Sequence, residues 1–431
     1  MRGPIPTLRG WAVGICGLGM LFLAGWFARV DLLFAGVLLT VAPLAAMIAI
    51  ALDRPWLTVH RSYAPDVVAA GDETQVRLEV RNQSARPTPA LRWVDRVPAE
   101  IAQGPERSLP SLAGRSAGRG GRSDTAVLRY AARTRRRGRY LLGPMQVVRT
   151  DPFGLAQTGY AVGDPRALTV TPRVFALEPG GPDEARGEGA EHELVRHSIP
   201  SADEVIARDY RAGDPLRRVH WRATARQDRL MVRQEEQRSN PQAWIALDTV
   251  RERGLLDLAL TARQPGEPFE RAVELAASIA VHLLRLGYLV GVIETGERQL
   301  SGSYEQPGGD RALIGQLSGL DQVAEATADH VGLLTAAVRR SSTGTPVFLI
   351  LVDGPGPAEW AEPAAIVAAA DPAVAFLATP EAQAARPALE AAGWLCVDID
   401  GRTDARGAWS AATAAHQARR SLRLDGTTGR V

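Results

Sequence analysis

Lysine is absent from this sequence: all fifty basic residues among the 431 are arginine. A P-loop needs a lysine on its phosphates and Schiff-base catalysis needs a lysine amine, so neither chemistry is open in its usual form. Cysteine is scarce. Cys16 lies in an apolar run and Cys396 in a predicted strand, which excludes a disulfide framework and a cysteine-based zinc site. Charge of one sign is not in excess either, since fifty basic against 48 acidic residues leave a net charge of +2. With no arginine run interleaved with aromatics, that balance argues against a nucleic-acid partner. What is present is an apolar content of 45%, normal for folded domains, in a chain long enough for two or three of them.

Long hydrophobic runs do occur, and both lie near the N-terminus. Trp11 to Ala28 is apolar apart from glycines; after Arg29-Val30-Asp31, Leu32 to Leu52 is apolar again, with Pro43 inside it. Each approaches or exceeds the roughly 20 residues that span a bilayer core. Two helices joined by a tight turn satisfy the backbone internally. A cleaved signal peptide fits poorly, because no polar mature start separates the runs. Arg2 and Arg9 before the first run, with Arg54 and Arg61 after the second, predict that both ends face the cytoplasm.

From Trp56 to about Val174 the pattern is β. Thr74 to Val80 alternates polar and apolar, and Ala126–Tyr130 and Leu168–Val170 read as further strands. Gly71-Asp72, Asn82-Gln83-Ser84 and Asp151-Pro152-Phe153-Gly154 supply turns between them. Short strands with such breaks predict an immunoglobulin-like sandwich. Gly114 to Asp124 reads as a loop, and Glu178 to Ala190, rich in Gly, Pro and acid, as a linker.

From about Ala243 the pattern turns to α/β. Trp244–Asp248, Leu289–Ile293, Val347–Asp353, Val374–Leu377 and Leu395–Val397 are apolar strands. Pro268 opens a helix that Gly287 closes, and Phe269, Val273, Ala276, Ala280 and Leu283 recur at helical spacing between them. Apolar strands alternating with helices predict a parallel sheet covered on both faces.

Between the two patterns stand Arg208-Asp209-Tyr210, Gly213-Asp214, Arg217-Arg218-Val219-His220-Trp221, Thr224-Ala225-Arg226 and Leu230-Met231-Val232-Arg233. Upstream are Arg136-Arg137-Gly138-Arg139-Tyr140, Leu142-Gly143-Pro144 and Asp151-Pro152-Phe153-Gly154-Leu155. Together with the twin apolar runs, these resemble the bacterial membrane-protein family known as domain of unknown function 58. The resemblance implies a C-terminal domain similar to a von Willebrand factor A domain. It also implies genetic neighbours of two kinds, a MoxR-type AAA+ ATPase and a transglutaminase-like membrane protein. The A domain often holds Mg2+ on an Asp-x-Ser-x-Ser loop, a Thr and a second Asp. Here Asp248-Thr249-Val250-Arg251-Glu252 keeps the Asp but puts Val and Glu at the hydroxyl positions, and Asp353 matches the later Asp. A hard cation wants several oxygens and Val250 supplies none, so Asp248 and Asp353 are metal candidates only in a weakened site. Without the metal, each caps the loop that follows its strand.

The signature residues Arg208, Tyr210, Gly213, Asp214, Arg217, His220, Trp221, Thr224 and Arg226 have two readings. One is a polar interdomain seam in which arginines pair with Asp209 and Asp214 and Trp221 plugs the joint. The other is a hydrolytic pocket, with Thr224 and His220 four apart on one helix face. The seam is favoured, because no nucleophile, base and orienting group form a set. His192 and His197 are five apart, which turns the second off the helix face a zincin motif needs. The Arg133 to Arg139 cluster reads as a solvated strand face rather than a site for lipid or nucleic acid.

The expectation is therefore a cytoplasmic tail (1–9), a transmembrane helical hairpin (10–53), a β-sandwich (54–177), a linker (178–200), a signature connector (201–236) and an α/β von Willebrand factor A-like domain (237–431). The expected function is that of a membrane-tethered interaction protein with no catalytic residue and no required cofactor, working with the MoxR-type ATPase. The alternative is a protein that binds ligand or mediates adhesion through a divalent metal.

Overall fold

The computed structural model describes residues 3–53, 55–102, 104, 106–115, 123–179, 181, 207–209, 221–227, 229–233, 241–251, 266–323, 330–341, 344–352 and 364–428. The chain divides into two compact units, Met1–Arg173 and Val174–Val431.

In the first unit, strand β1 (Ile5–Pro6) leads into helix α1 (Leu8–Phe27), which a short turn joins to α2 (Val30–Leu52). Thr7 caps α1 by accepting from the Gly10 N–H at 3.1 Å. Both helices are long and apolar enough to cross a membrane. They approach closely through small residues: a Cβ on Gly17 would stand 2.7 Å from the Thr40 main-chain nitrogen. Their outward side chains, among them Ile15, Phe22, Phe34 and Leu38, are apolar and exposed.

The strands of this unit are β2 (Leu57–Ala64), β3 (Val67–Ala69), β4 (Glu73–Asn82), β5 (Leu91–Asp95), β6 (Arg107–Leu109), β7 (Thr125–Arg133), β8 (Gly138–Leu142), β9 (Met145–Thr150), β10 (Ala156–Val162) and β11 (Arg166–Thr171). They form sheets in the orders β1-β10-β9-β5-β6, β2-β4-β7 and β3-β11-β8. All pairings are antiparallel except β3 with β11. The alternation of β4 is realised strictly, with Val76, Leu78 and Val80 fully buried. They join Trp93, Leu109, Leu142, Met145 and Leu168 in one apolar core.

Two boundaries differ from expectation. The segment expected as a tail is tied down in part, because Ile5 and Pro6 pair with Gln157 and Ala156 and so extend the sheet. A two-residue strand carries no periodicity that could announce it. At the other end, Leu177 is buried in the core of the second unit and Val174 and Phe175 pack against that core, so the unit boundary falls before Val174 rather than after Leu177.

The second unit contains β12 (Ala207–Asp209), α3 (Trp221–Gln227), β13 (Met231–Arg233), β14 (Gln242–Leu247), α4 (Glu267–Arg285), β15 (Leu289–Glu294), β16 (Ser303–Tyr304), α5 (Gly309–Leu317), α6 (His330–Arg340), β17 (Thr345–Leu351), α7 (Ala364–Ala369), β18 (Ala370–Leu377), α8 (Pro380–Gln383), α9 (Arg386–Ala391), β19 (Leu395–Asp398) and α10 (Ala405–Thr428). Its main sheet has the order β16-β15-β14-β17-β18-β19, parallel throughout except for the edge strand β16. Side chains alternate between two cores. Ile245, Leu247, Phe348 and Ile350 meet α4, α5 and α10 on one face. Ala246, Val347, Leu349 and Leu351 meet α6, α7 and α9 on the other. The sheet is thus covered on both faces, as continuous apolar strands require. Helix α4 has glutamates in its first turn, His282 and Arg285 in its last, and Gly287 beyond it at φ +85°, where a side chain would be strained. The C-terminal helix α10, which the sequence reading did not place, seats Trp409 in the core against Phe348 and His282.

Candidate functional site

The parallel sheet runs from β14 outward to β15 and β16, then returns to start again at β17 on the other side of β14. The strand order therefore reverses between β14 and β17. At such a switch point the ends of neighbouring strands diverge, and ligands of open α/β sheets bind in the crevice above them. Asp248 follows β14 at this place, and Asp353 follows β17 but lies outside the described residues.

Asp248 is fully buried. One carboxylate oxygen accepts from the Thr295 hydroxyl at 2.8 Å and the Val250 N–H at 3.2 Å. The other accepts from the Val352 N–H at 3.1 Å. The Thr295 hydroxyl oxygen accepts from the Thr249 N–H, and the Thr249 hydroxyl oxygen from the Gly296 N–H. The arrangement ties the ends of β14, β15 and β17 together, and the oxygens a cation would use already face donors of the chain. The Val250 backbone bridges to Val323, which holds the loop after Asp248 to the sheet. Among the described residues, no three His, Cys, Asp or Glu side chains stand close enough to hold a metal ion.

Glu294, at the end of β15, was not singled out from the sequence. It is buried, and its carboxylate accepts from the Gln299 N–H at 2.9 Å and the Leu300 N–H at 3.0 Å. Burial pushes its pKa up, although these hydrogen bonds pull the other way. An acid directly after an apolar run, like Asp248, was the signal available. Cys396 on β19 is also perturbed, its thiol pushed up to about 11 by burial. It stays protonated at neutral pH and is a poor nucleophile.

The signature segment is described only in part. β12 and β13 pair antiparallel, setting Arg208 opposite Val232 and Asp209 opposite Met231. The two ends of the signature are thus brought together as a strand pair. Thr224 on α3 accepts from the Met231 N–H at 3.1 Å, so its hydroxyl joins the helix to β13. Arg226 is exposed. Trp221 is 70% exposed, which contradicts its expected place as a buried plug: at the first position of a seven-residue helix its ring points to solvent. Tyr210, Gly213, Asp214, Arg217 and His220 lie outside the described residues, as do His192 and His197.

The first unit holds a buried charge network that sequence reading missed. Arg61 on β2 and Asp95 on β5 pair at 2.5 Å with both side chains only 2% exposed. The Tyr130 hydroxyl donates to Asp95 at 2.6 Å, and Arg61 donates to the Asp164 carbonyl at 2.9 Å. Burial and then the neighbouring carboxylate hold the Tyr130 phenol far above its ordinary pKa, and burial pushes Tyr63 up to about 12. A Cβ on Gly143, whose φ is +101°, would stand 2.5 Å from the Arg61 guanidinium. The Leu-Gly-Pro element thus makes room for this arginine. Arg61 is consequently not a free flanking charge beside the second helix. The arginine cluster is corrected at one position, because Arg137 is buried, whereas Arg133, Arg135 and Arg139 are exposed.

Comparison with known proteins matches residues 206–376 to a family described as protein of unknown function DUF58. No curated protein matches. Among solved structures, the CARDB domain of a Pyrococcus furiosus protein in complex with di-metal ions is similar at 15% identity over 25% of this chain and 88% of that one, with a TM-score of 0.17. A putative late embryogenesis abundant protein is similar at 17% identity over 29% and 76%, with a TM-score of 0.19. The Pseudomonas fluorescens alkylpurine DNA glycosylase AlkC, bound to DNA with an abasic site analogue, is similar at 11% identity over 33% and 42%, with a TM-score of 0.16. At such scores the likenesses carry no argument.

Proposed function

We propose, from the premise that residues 206–376 belong to the DUF58 family, that this chain is a membrane-tethered interaction protein. The observation that carries the reading is the pair of apolar helices, 20 and 23 residues long, joined directly to a folded β unit. In this reading α1 and α2 form a multi-pass anchor and the soluble parts face the cytoplasm. The β unit is an immunoglobulin-like spacer. The α/β unit is von Willebrand factor A-like, and its switch-point edge, around Asp248 and the strand ends beside it, is presented to a MoxR-type AAA+ ATPase. A transglutaminase-like membrane protein is a further partner. Asp248 serves as the cap that shapes this edge, with no catalytic role. The doubly wound order of the six-stranded sheet supports the assignment of the edge, because that topology concentrates binding at the carboxyl ends of its strands.

The test uses the full-length chain in its native membrane. A reporter fused after Val431 should register as cytoplasmic, and crosslinking followed by purification should recover the ATPase with it. A reporter that registers outside the cytoplasm removes both the orientation and the partner, since the ATPase is cytoplasmic. A cytoplasmic reporter without the ATPase removes the partner alone.

A further inference from the structure

Within the first unit, the Asp151-Pro152-Phe153-Gly154-Leu155 turn between β9 and β10 is fastened to the end of the helix pair. The Thr7 N–H donates to the Leu155 carbonyl at 2.9 Å, and the Thr7 hydroxyl donates to the Gly154 carbonyl. β1 continues the sheet beyond β10 immediately before α1 begins. Ala156 packs with Ala46 and Ile50 of α2. A Cβ on Gly10 would stand 2.0 Å from the Leu155 carbonyl oxygen, so helix and turn touch backbone to backbone. Arg149 pairs with Asp53 at 2.7 Å, just past the end of α2.

The turn is also rigid in itself. The Asp151 carboxylate accepts from the Phe153 N–H at 2.9 Å and from the Ala156 N–H at 2.6 Å. Gly154 takes φ +71°. Such a turn would usually present polar residues, yet it holds Phe153 at 79% exposure. Leu8, Trp11, Leu52 and Trp56, from the same end of the hairpin, are exposed as well. The Arg9 guanidinium lies beside Gly154. Aromatic rings and an arginine at the end of apolar helices are the composition of a membrane–water boundary, where rings sit among headgroups and guanidinium groups meet phosphate.

We propose that Phe153 is an interfacial anchor: the β unit rests on the bilayer surface with this ring inserted at the headgroup–acyl boundary, and Arg9 meets lipid phosphate beside it. The occupant of this patch is lipid, because the patch is continuous with the ends of helices whose length fits a bilayer. The inference rests on the membrane reading above.

The test is depth measurement on the full-length protein in phosphatidylglycerol/phosphatidylethanolamine liposomes. Cys16 and Cys396 are replaced by Ser, and a nitroxide is attached in turn through Phe153→Cys, Leu38→Cys in α2 and Glu79→Cys on the exposed face of β4. Collision with oxygen, which prefers the bilayer, is compared with collision with a water-soluble nickel chelate. The label at 38 should favour oxygen strongly, the label at 79 the chelate, and the label at 153 should lie between them, shifted toward oxygen. If 38 reports hydrocarbon while 153 matches 79, the anchor is overturned and the membrane reading stands. If 153 is shielded from both reagents, protein covers it and the anchor is again overturned. If 38 reports water, the membrane reading falls, and the anchor with it.

Discussion

Two buried acids, one in each unit, are satisfied in different ways. In the β unit, Asp95 is met by a full positive charge and a phenol, Arg61 and Tyr130, drawn from separate strands. In the α/β unit, Glu294 is met by the main-chain N–H groups of Gln299 and Leu300, a few residues further along the chain. The first arrangement satisfies a charge with an opposite charge inside the fold, so the partners depend on each other. The second shapes one turn and leaves the carboxyl with a raised pKa. One joins separate strands through mutually dependent partners, and the other is a carboxyl with a raised pKa at the carboxyl edge of the sheet.

The largest expected effect tests that dependence. Arg61→Met leaves the Asp95 carboxylate buried without its counter-charge and should destabilise the β unit by about 3–5 kcal/mol. Replacing all three partners together (Arg61→Met, Asp95→Leu, Tyr130→Phe) should recover most of the loss, since no polar group then stays stranded. Denaturant melts of the full chain in detergent, followed through the transition of the β unit, measure both. A triple variant no more stable than Arg61→Met would show that the network does more than satisfy itself.

A smaller effect separates the Glu294 arrangement from it. The folded pKa of Glu294 is raised above the ordinary 4.5, so the folded unit holds this proton more tightly than the unfolded chain does. Its contribution to stability is fully present below the unfolded pKa and is lost as pH rises through the folded one. Glu294→Gln should flatten the stability–pH profile of the α/β unit across that window. The readout is the slope, because the amide also changes the hydrogen bonds. An unchanged slope would mean that burial does not govern this carboxyl.

The smallest effect is a near-absence. Trp221→Ala removes a ring that is 70% exposed and should change stability by no more than about 0.5 kcal/mol. A melting shift several times larger would restore the buried-plug reading of this residue.

Much of the fold was legible because it is written in local periodicity. The 2-residue alternation of β4 and the helical spacing of Phe269 to Leu283 each mark a buried face, and the structure buries those residues. The carboxyl edge of the sheet could be anticipated from acids that follow apolar strands. Trp221 was misjudged because a large ring in a polar motif gives no sign of whether neighbours cover it. Arg61 was misjudged for the converse reason, since an arginine a few residues past an apolar helix looks solvated until a partner is known.

The sequence alone determined where the chain is apolar enough to cross a bilayer, which segments alternate as strands or repeat as helices, and which family its signature resembles, because each is a property of neighbouring residues. Only the tertiary structure decided that Arg61 meets Asp95, 34 residues away, and that Thr7 reaches Leu155 and Gly154 across the unit. Such contacts form between segments whose own patterns are indifferent to the pairing. Burial is what selects them, by making a polar group left without a partner too costly to keep.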